Sequence, residues 1–165
     1  MYILFDIKSA NAYISHVKHI LHGDYIMSFQ EKSAWAMAII SIVAMTTYIS
    51  SVLPGARELP LVEVNYVGAM LSTIALVILA AIIIHIIIAV TNTSEANDQD
   101  ERDLQINRYG DAFGQWLIAG GAMGALLMSV AEWEHFWIAN TLYLAFLLAT
   151  LVGSGAKIVA YRRGF

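Results

Sequence analysis

Five histidines and thirteen carboxylates are the side chains of this sequence best suited to ligate a metal or move a proton, because it contains no cysteine. His16, His19 and His22 recur every three residues. On a helix that spacing drifts, so His16 and His22 diverge by about 120°. They read as solvated or headgroup-facing groups rather than as a metal site. His85 is the one ionisable residue in an Ile-rich run, IALVILAAIIIHIIIAV. Ionisable residues within a membrane span are functional candidates by default. It lies near the far boundary of its run, however, where bonding to a neighbouring helix or to water competes with a chemical role. Glu132, Glu134 and His135, with Glu63, could offer oxygen and nitrogen donors to a divalent ion, but their spacing matches no metal motif. A calcium loop counted from Asp98 fails, since Arg102 takes the third ligand place, Asp103 the glycine place and Tyr109 the twelfth. His85 and His135 fall at opposite boundaries, more than about 20 Å apart across a 30 Å core, so they cannot share a haem within one bundle. No serine–histidine–acid or paired-carboxylate arrangement lies at membrane depth. The expectation is a non-enzymatic protein with no cofactor and no bound metal.

The elements that hold these residues are apolar. The 165 residues are 59% hydrophobic and 13% charged, with mean hydropathy +0.65, against roughly 25% charge in soluble domains. A membrane helix needs roughly 20 apolar residues. Four stretches meet that need, at about 33–53, 66–90, 113–130 and 136–160. Trp35 and Trp116 stand at the starts of the first and third, and Trp133 and Trp137 at the turn into the fourth, as interfacial rings do. Pro54 and Gly55 close the first span. Gly120, Gly121, Gly124 and Ala125 in the third span, and Gly153, Ser154, Gly155 and Ala156 in the fourth, have the small-residue spacing that lets helices approach closely in lipid. Asn140, near the outer end of the fourth span, is placed to bond across helices. Lys157 is close enough to the boundary to snorkel. The fold class expected is all-α: an integral membrane four-helix bundle made of two hairpins.

Residues 1–26 stand apart. Ile3, Ile7, Ala10, Ile14, Val17 and Leu21 make one helical stripe. The segment reads either as an amphipathic helix on the membrane surface or as an over-extended start, with the chain proper beginning at Met27. Residues 27–165 form the four-span domain.

The polar connector 93–111 separates the hairpins. Its six acidic and two basic residues account for the whole net charge of −4. Asp98 with Glu101 has the form of a capping box, and Asp98 and Arg102 are i, i+4 partners. A short helix over 99–109 is expected, closed by Gly110. Leu104 and Arg108 would share a face. Eight of nine basic residues fall on the connector's side of the four spans and only Arg57 opposite, so the positive-inside rule places the connector and both termini in the cytoplasm. The chain carries no basic footprint for nucleic acid.

The runs DERDLQINRYG (100–110), HFWIAN (135–140) and the terminal YRRGF resemble a family of small bacterial membrane proteins without an assigned function. The resemblance covers Ser28 to Phe165. It implies a bacterial inner-membrane setting, and it supplies no catalytic residues. Two functions are expected from these observations. In the first, the protein acts through a cytoplasmic partner that docks on Asp98, Asp100, Glu101, Arg102, Asp103 and Arg108. In the second, it is an oligomeric small transporter or channel for an apolar or small substrate. The lack of carboxylates and bases in mid-span argues against proton-coupled export.

Overall fold

The computed structural model describes residues 27–91 and 101–163. Four long helices make up the fold: α1 (Phe29–Val52), α2 (Val67–Thr91), α3 (Glu101–Val130) and α4 (His135–Arg163). All four are long and apolar enough to cross a membrane. Two short 3-10 turns, Gly55–Arg57 and Leu61–Glu63, join α1 to α2. Among the described residues there is no strand. The N-terminal stripe, its three histidines, Asp98 and Asp100 lie outside the described residues.

Local chemistry sets the helix ends. Ser28 caps α1, its Oγ accepting from Glu31 N at 3.2 Å. Pro54 follows the cap residue Leu53 and stops the helix. Acidic Glu101 and Asp103 occupy the first turn of α3, and Arg162 and Arg163 the last turn of α4, each sign matching the helix dipole. Between α3 and α4, Trp133 N bonds Met128 O at 3.0 Å and Glu132 N bonds Ser129 O at 3.2 Å. That is a Schellman closure. Its left-handed position is filled by Glu132, at φ 55°, where glycine is the usual residue.

β-Branched runs such as that of α2 are poor helix formers in water. In hydrocarbon every backbone N–H and C=O must be satisfied within the segment, and a helix does so whatever the side chains. Span hydroxyls follow the same constraint: Ser41, Thr46, Ser51 and Thr150 each donate to the carbonyl four residues back.

Packing within the bundle is uneven. The most extensive contact is α3 on α4; α1 packs on both α4 and α2. α1 and α4 thus form the centre, with α2 and α3 on the flanks. The larger buried cluster, Ala44, Tyr48, Val52, Val64, Met70, Tyr143 and Leu147, lies where α1, α2 and α4 meet near the short loops.

α3 departs from the sequence expectation. No break occurs at Gly110; the connector helix and the third span are one helix of 30 residues. At 1.5 Å per residue it is about 45 Å long, some 15 Å more than a 30 Å core needs. About ten residues, roughly Glu101 to Gly110, therefore project beyond the apolar slab. Gly110 stays helical because it faces α4: a Cβ there would stand 2.6 Å from Gly153 O and would overlap the Lys157 side chain.

The α3–α4 seam continues through Gly114 against the Ala149 carbonyl (3.1 Å from a built Cβ) and Gly121 against the Ala145 methyl. Gly153 faces Gly110 in return, 3.0 Å from its carbonyl, and Gly124 meets Thr141 in ordinary contact. Gly120 and Gly155, expected among the packing residues, have nothing within 4 Å of a built Cβ and face outward. They fail because close approach follows one face of the helix, and 120 and 155 lie off it. Gly110 and Gly114 extend that face toward the helix start; their four-residue spacing was missed because Gly110 falls outside the apolar span as counted.

Candidate functional site

The polar end of the bundle, where α1 and α3 begin and α2 and α4 finish, gathers the ionisable contacts. Glu31 on α1 is buried, 3% exposed, and its Oε1 accepts from Arg162 Nε on α4 at 3.0 Å. Ser28-Phe29-Gln30-Glu31 has the spacing of a capping box. Here the Glu31 carboxylate meets the arginine of another helix. Tyr161 donates to Asp103 Oδ1 on α3 at 2.8 Å. Ile106, fully buried, packs with Ala160 and Tyr161 just below. Lys157 pairs with Asp111 at 2.8 Å, where free snorkelling was expected.

His85 joins α2 to the same end. Its Nε2 is 2.9 Å from Ser33 Oγ on α1, and its Nδ1 is 2.8 Å from Ala81 O. A carbonyl can only accept, so Nδ1 carries a proton. In the neutral ring Nε2 then accepts from the Ser33 hydroxyl. The histidine's hydrogen-bonding capacity is thereby used within the fold.

These bonds bear on what the described part of the connector, from Glu101 on, presents. Of the expected partner surface, Asp103 is engaged with Tyr161, while Glu101, Arg102 and Arg108 are exposed, together with Leu104 and Gln105. Below them a groove of about 320 Å³ opens between α1, α3 and α4, with Asp111, Lys157, Gln115, Thr150 and Ser154 in its lining.

The loop end is neutral. Tyr48 on α1 donates to Asn140 Oδ1 on α4 at 2.5 Å, and Asn140 Nδ2 donates to Phe136 O at 2.8 Å. Thr73 on α2 and Tyr143 on α4 bond at 2.9 Å. The Thr73 hydroxyl is directed at the Ala69 and Met70 carbonyls, which leaves Tyr143 as the donor. The Tyr48 and Tyr143 rings are 4.7 Å apart. Glu132, Glu134 and His135 are exposed. Among the described residues no three His, Asp or Glu side chains converge on a metal-sized site, Glu63 included. His135 and His85 are at opposite ends.

An apolar cavity of about 570 Å³ separates α2 from α4. Ile74, Val77, Phe146 and Leu147 line it, and the hydroxyl residues Ser41, Tyr143 and Thr150 supply its polar edge. Among the described residues no buried side-chain nitrogen or oxygen lacks a partner. These contacts build a clamp at one end and an apolar cavity in the middle.

Sequence reasoning missed Glu31, Tyr48, Tyr143 and Thr73. The S-x-x-E pattern at 28–31 was the available signal for Glu31, and the three span tyrosine and threonine hydroxyls, costly in lipid without partners, were the signal for the rest. No family model matches the chain, and no curated protein or solved structure matches it.

Proposed function

We propose that this is a non-enzymatic multi-pass membrane protein that works through a partner docking on the projecting start of α3. The observation behind this reading is the clamp: Asp103–Tyr161 and buried Ile106 fix one face of the projection, and Glu101, Arg102, Leu104, Gln105 and Arg108 stand on the other. A rigid, mixed-charge helix face loses little conformational entropy when bound. The cytoplasmic side and the bacterial inner membrane are part of the proposal. Charge asymmetry supports the former and the sequence resemblance the latter. The test is co-purification in mild detergent with Glu101, Arg102 and Arg108 changed together to alanine, leaving Asp103 in place. A specific partner should be lost. A reproducible partner retained undiminished removes the proposal.

The 570 Å³ cavity favours a second reading, an oligomeric transporter or channel for an apolar molecule. Ala139→Phe would fill the cavity from α4. Uptake of an apolar dye into proteoliposomes that this variant leaves unchanged excludes the cavity as the path.

A further inference from the structure

We infer that the groove of about 320 Å³ between α1, α3 and α4 binds a small zwitterion: a primary ammonium a few bonds from an anionic oxygen, with an apolar group attached. An α-amino acid and the headgroup of an aminophospholipid share that chemistry.

The first observation is a hydroxyl without a partner. Among the described residues the buried polar side chains are Glu31, Ser41, Thr73 and Ser154. Glu31 bonds Arg162, and Ser41 and Thr73 donate to helix carbonyls. Ser154, 7% exposed, makes no hydrogen bond among the described residues, whereas Thr150, one turn earlier, donates to Phe146 O. The Ser154 oxygen is not sealed inside the fold; it opens onto the groove that the residue lines. A hydroxyl kept from water costs free energy until a partner reaches it, and here the partner arrives through the groove.

The second is a charge pair with capacity to spare. Lys157 Nζ is 2.8 Å from Asp111 Oδ1, and the two side chains are 20% and 60% exposed. An ammonium has three donors and a carboxylate about four acceptor sites, so one bond leaves most of each unused. A ligand of net charge would meet a like charge beside its opposite. A zwitterion sets its anion on Lys157 and its ammonium on Asp111, and both contacts attract. Ser154 and Lys157 are three apart on α4 and so share a face, which makes the hydroxyl a second donor to the anion.

The third is depth. The groove starts at Asp111, where α3 enters the apolar slab, and reaches Ile118, about 10 Å of helix rise. Met37, Ile118 and Ala149 make its inner end apolar. That is too shallow for an acyl chain across a leaflet and enough for an amino-acid side chain or the first carbons of a lipid. The volume is at the small end of ligand pockets, about 300–1,000 Å³.

Native mass spectrometry of the full chain in micelles tests both sources of the zwitterion. In one arm the micelles are doped with phosphatidylethanolamine or phosphatidylcholine; both are zwitterions, but only the first has ammonium N–H donors for Asp111. In the other, lipid-free micelles receive leucine, isocaproate (no ammonium) or isoamylamine (no carboxylate). Retention of phosphatidylethanolamine over phosphatidylcholine assigns the headgroup, and retention of leucine over both analogues assigns the free amino acid. Ser154→Ala should lower retention of that ligand about tenfold, as for one hydrogen bond to a charged group. It should not lower the unfolding temperature, because no bond within the fold is lost. Asp111→Asn should erase the preference for the ligand with ammonium N–H donors. The assignment is overturned by a wild type that prefers neither phosphatidylethanolamine nor leucine, by retention unchanged in Ser154→Ala, or by a lower unfolding temperature in that variant, which would show the hydroxyl already used within the fold.

Discussion

The two ends of this bundle solve the same problem with different chemistry. Each must tie helices together at the edge of an apolar slab. The polar end does so with charges: Glu31–Arg162 and Asp111–Lys157, with Tyr161–Asp103 beside them. The loop end does so with neutral groups, Tyr48–Asn140 and Tyr143–Thr73. The loops at that end are short, so covalent connection already holds α1 near α2 and α3 near α4. Neutral bonds are enough there. At the polar end the helices have no such short tether, and α3 projects some 15 Å beyond the core. Stronger, charge-assisted bonds are placed where the chain itself constrains least.

The largest expected effect comes from breaking the buried pair on one side only. Arg162→Ala leaves the Glu31 carboxylate buried without its partner. Removing one member of a buried pair costs roughly 3–5 kcal/mol, and with Arg162 about half exposed the expected loss is nearer 2 kcal/mol. Arg163→Ala should change stability by less than about 0.5 kcal/mol, the usual size for an exposed surface residue. Thermal unfolding of the two variants in one detergent checks the contrast. Equal effects would mean that the polar end is not clamped.

The seam between the ends comes next. Gly110→Ala drives a methyl against Gly153 O and the Lys157 side chain, an overpacking that costs about 1–3 kcal/mol. Gly120→Ala meets open space and should stabilise α3 by up to about 1 kcal/mol through helix propensity. The same chemical change ten residues apart should thus shift the unfolding midpoint in opposite directions.

The loop end should respond more weakly. Tyr48→Phe removes the donor to Asn140, and interhelical hydrogen bonds in membrane proteins average about 0.6 kcal/mol. The loss should also be insensitive to salt, whereas the half-exposed Arg162 makes the polar end weaken as ionic strength rises. In the α3–α4 turn the expected effect has the opposite sign. Glu132→Gly relieves a left-handed backbone at φ 55° and should gain about 1 kcal/mol or less. A loss of stability there would show that the Glu132 side chain has a role of its own.

The sequence made the four helices readable because lipid imposes length and hydrophobicity on any segment that crosses it. It did not make the continuity of α3 readable. Gly110 looks like a helix stop when only its neighbours in sequence are considered, and becomes a packing residue once α4 is beside it. Asp111 looked like the last acid of a loop and Lys157 like a snorkelling lysine; each is explained by the other, 46 positions away. Glu31 sat just before the first span as drawn and drew no attention, though Ser28 announced the cap. The candidate docking face was visible as a cluster of charges, but which charges remain exposed depended on Tyr161 reaching back to Asp103. In each case the missing information is a partner on another helix, which local patterning does not contain.

Amide hydrogen exchange of the protein in lipid nanodiscs tests most directly whether the start of α3 is a clamped helix. Residues 105–111 carry intrahelical bonds beyond the apolar slab, in contact with water, where an unstructured connector would exchange at the free-peptide rate. They should be protected at least roughly a hundredfold, and Tyr161→Phe, which frees Asp103, should lower that protection while leaving residues 114–125 unchanged. Free-peptide exchange across 105–111 in the wild type would contradict the clamp, and with it the docking surface it is proposed to hold.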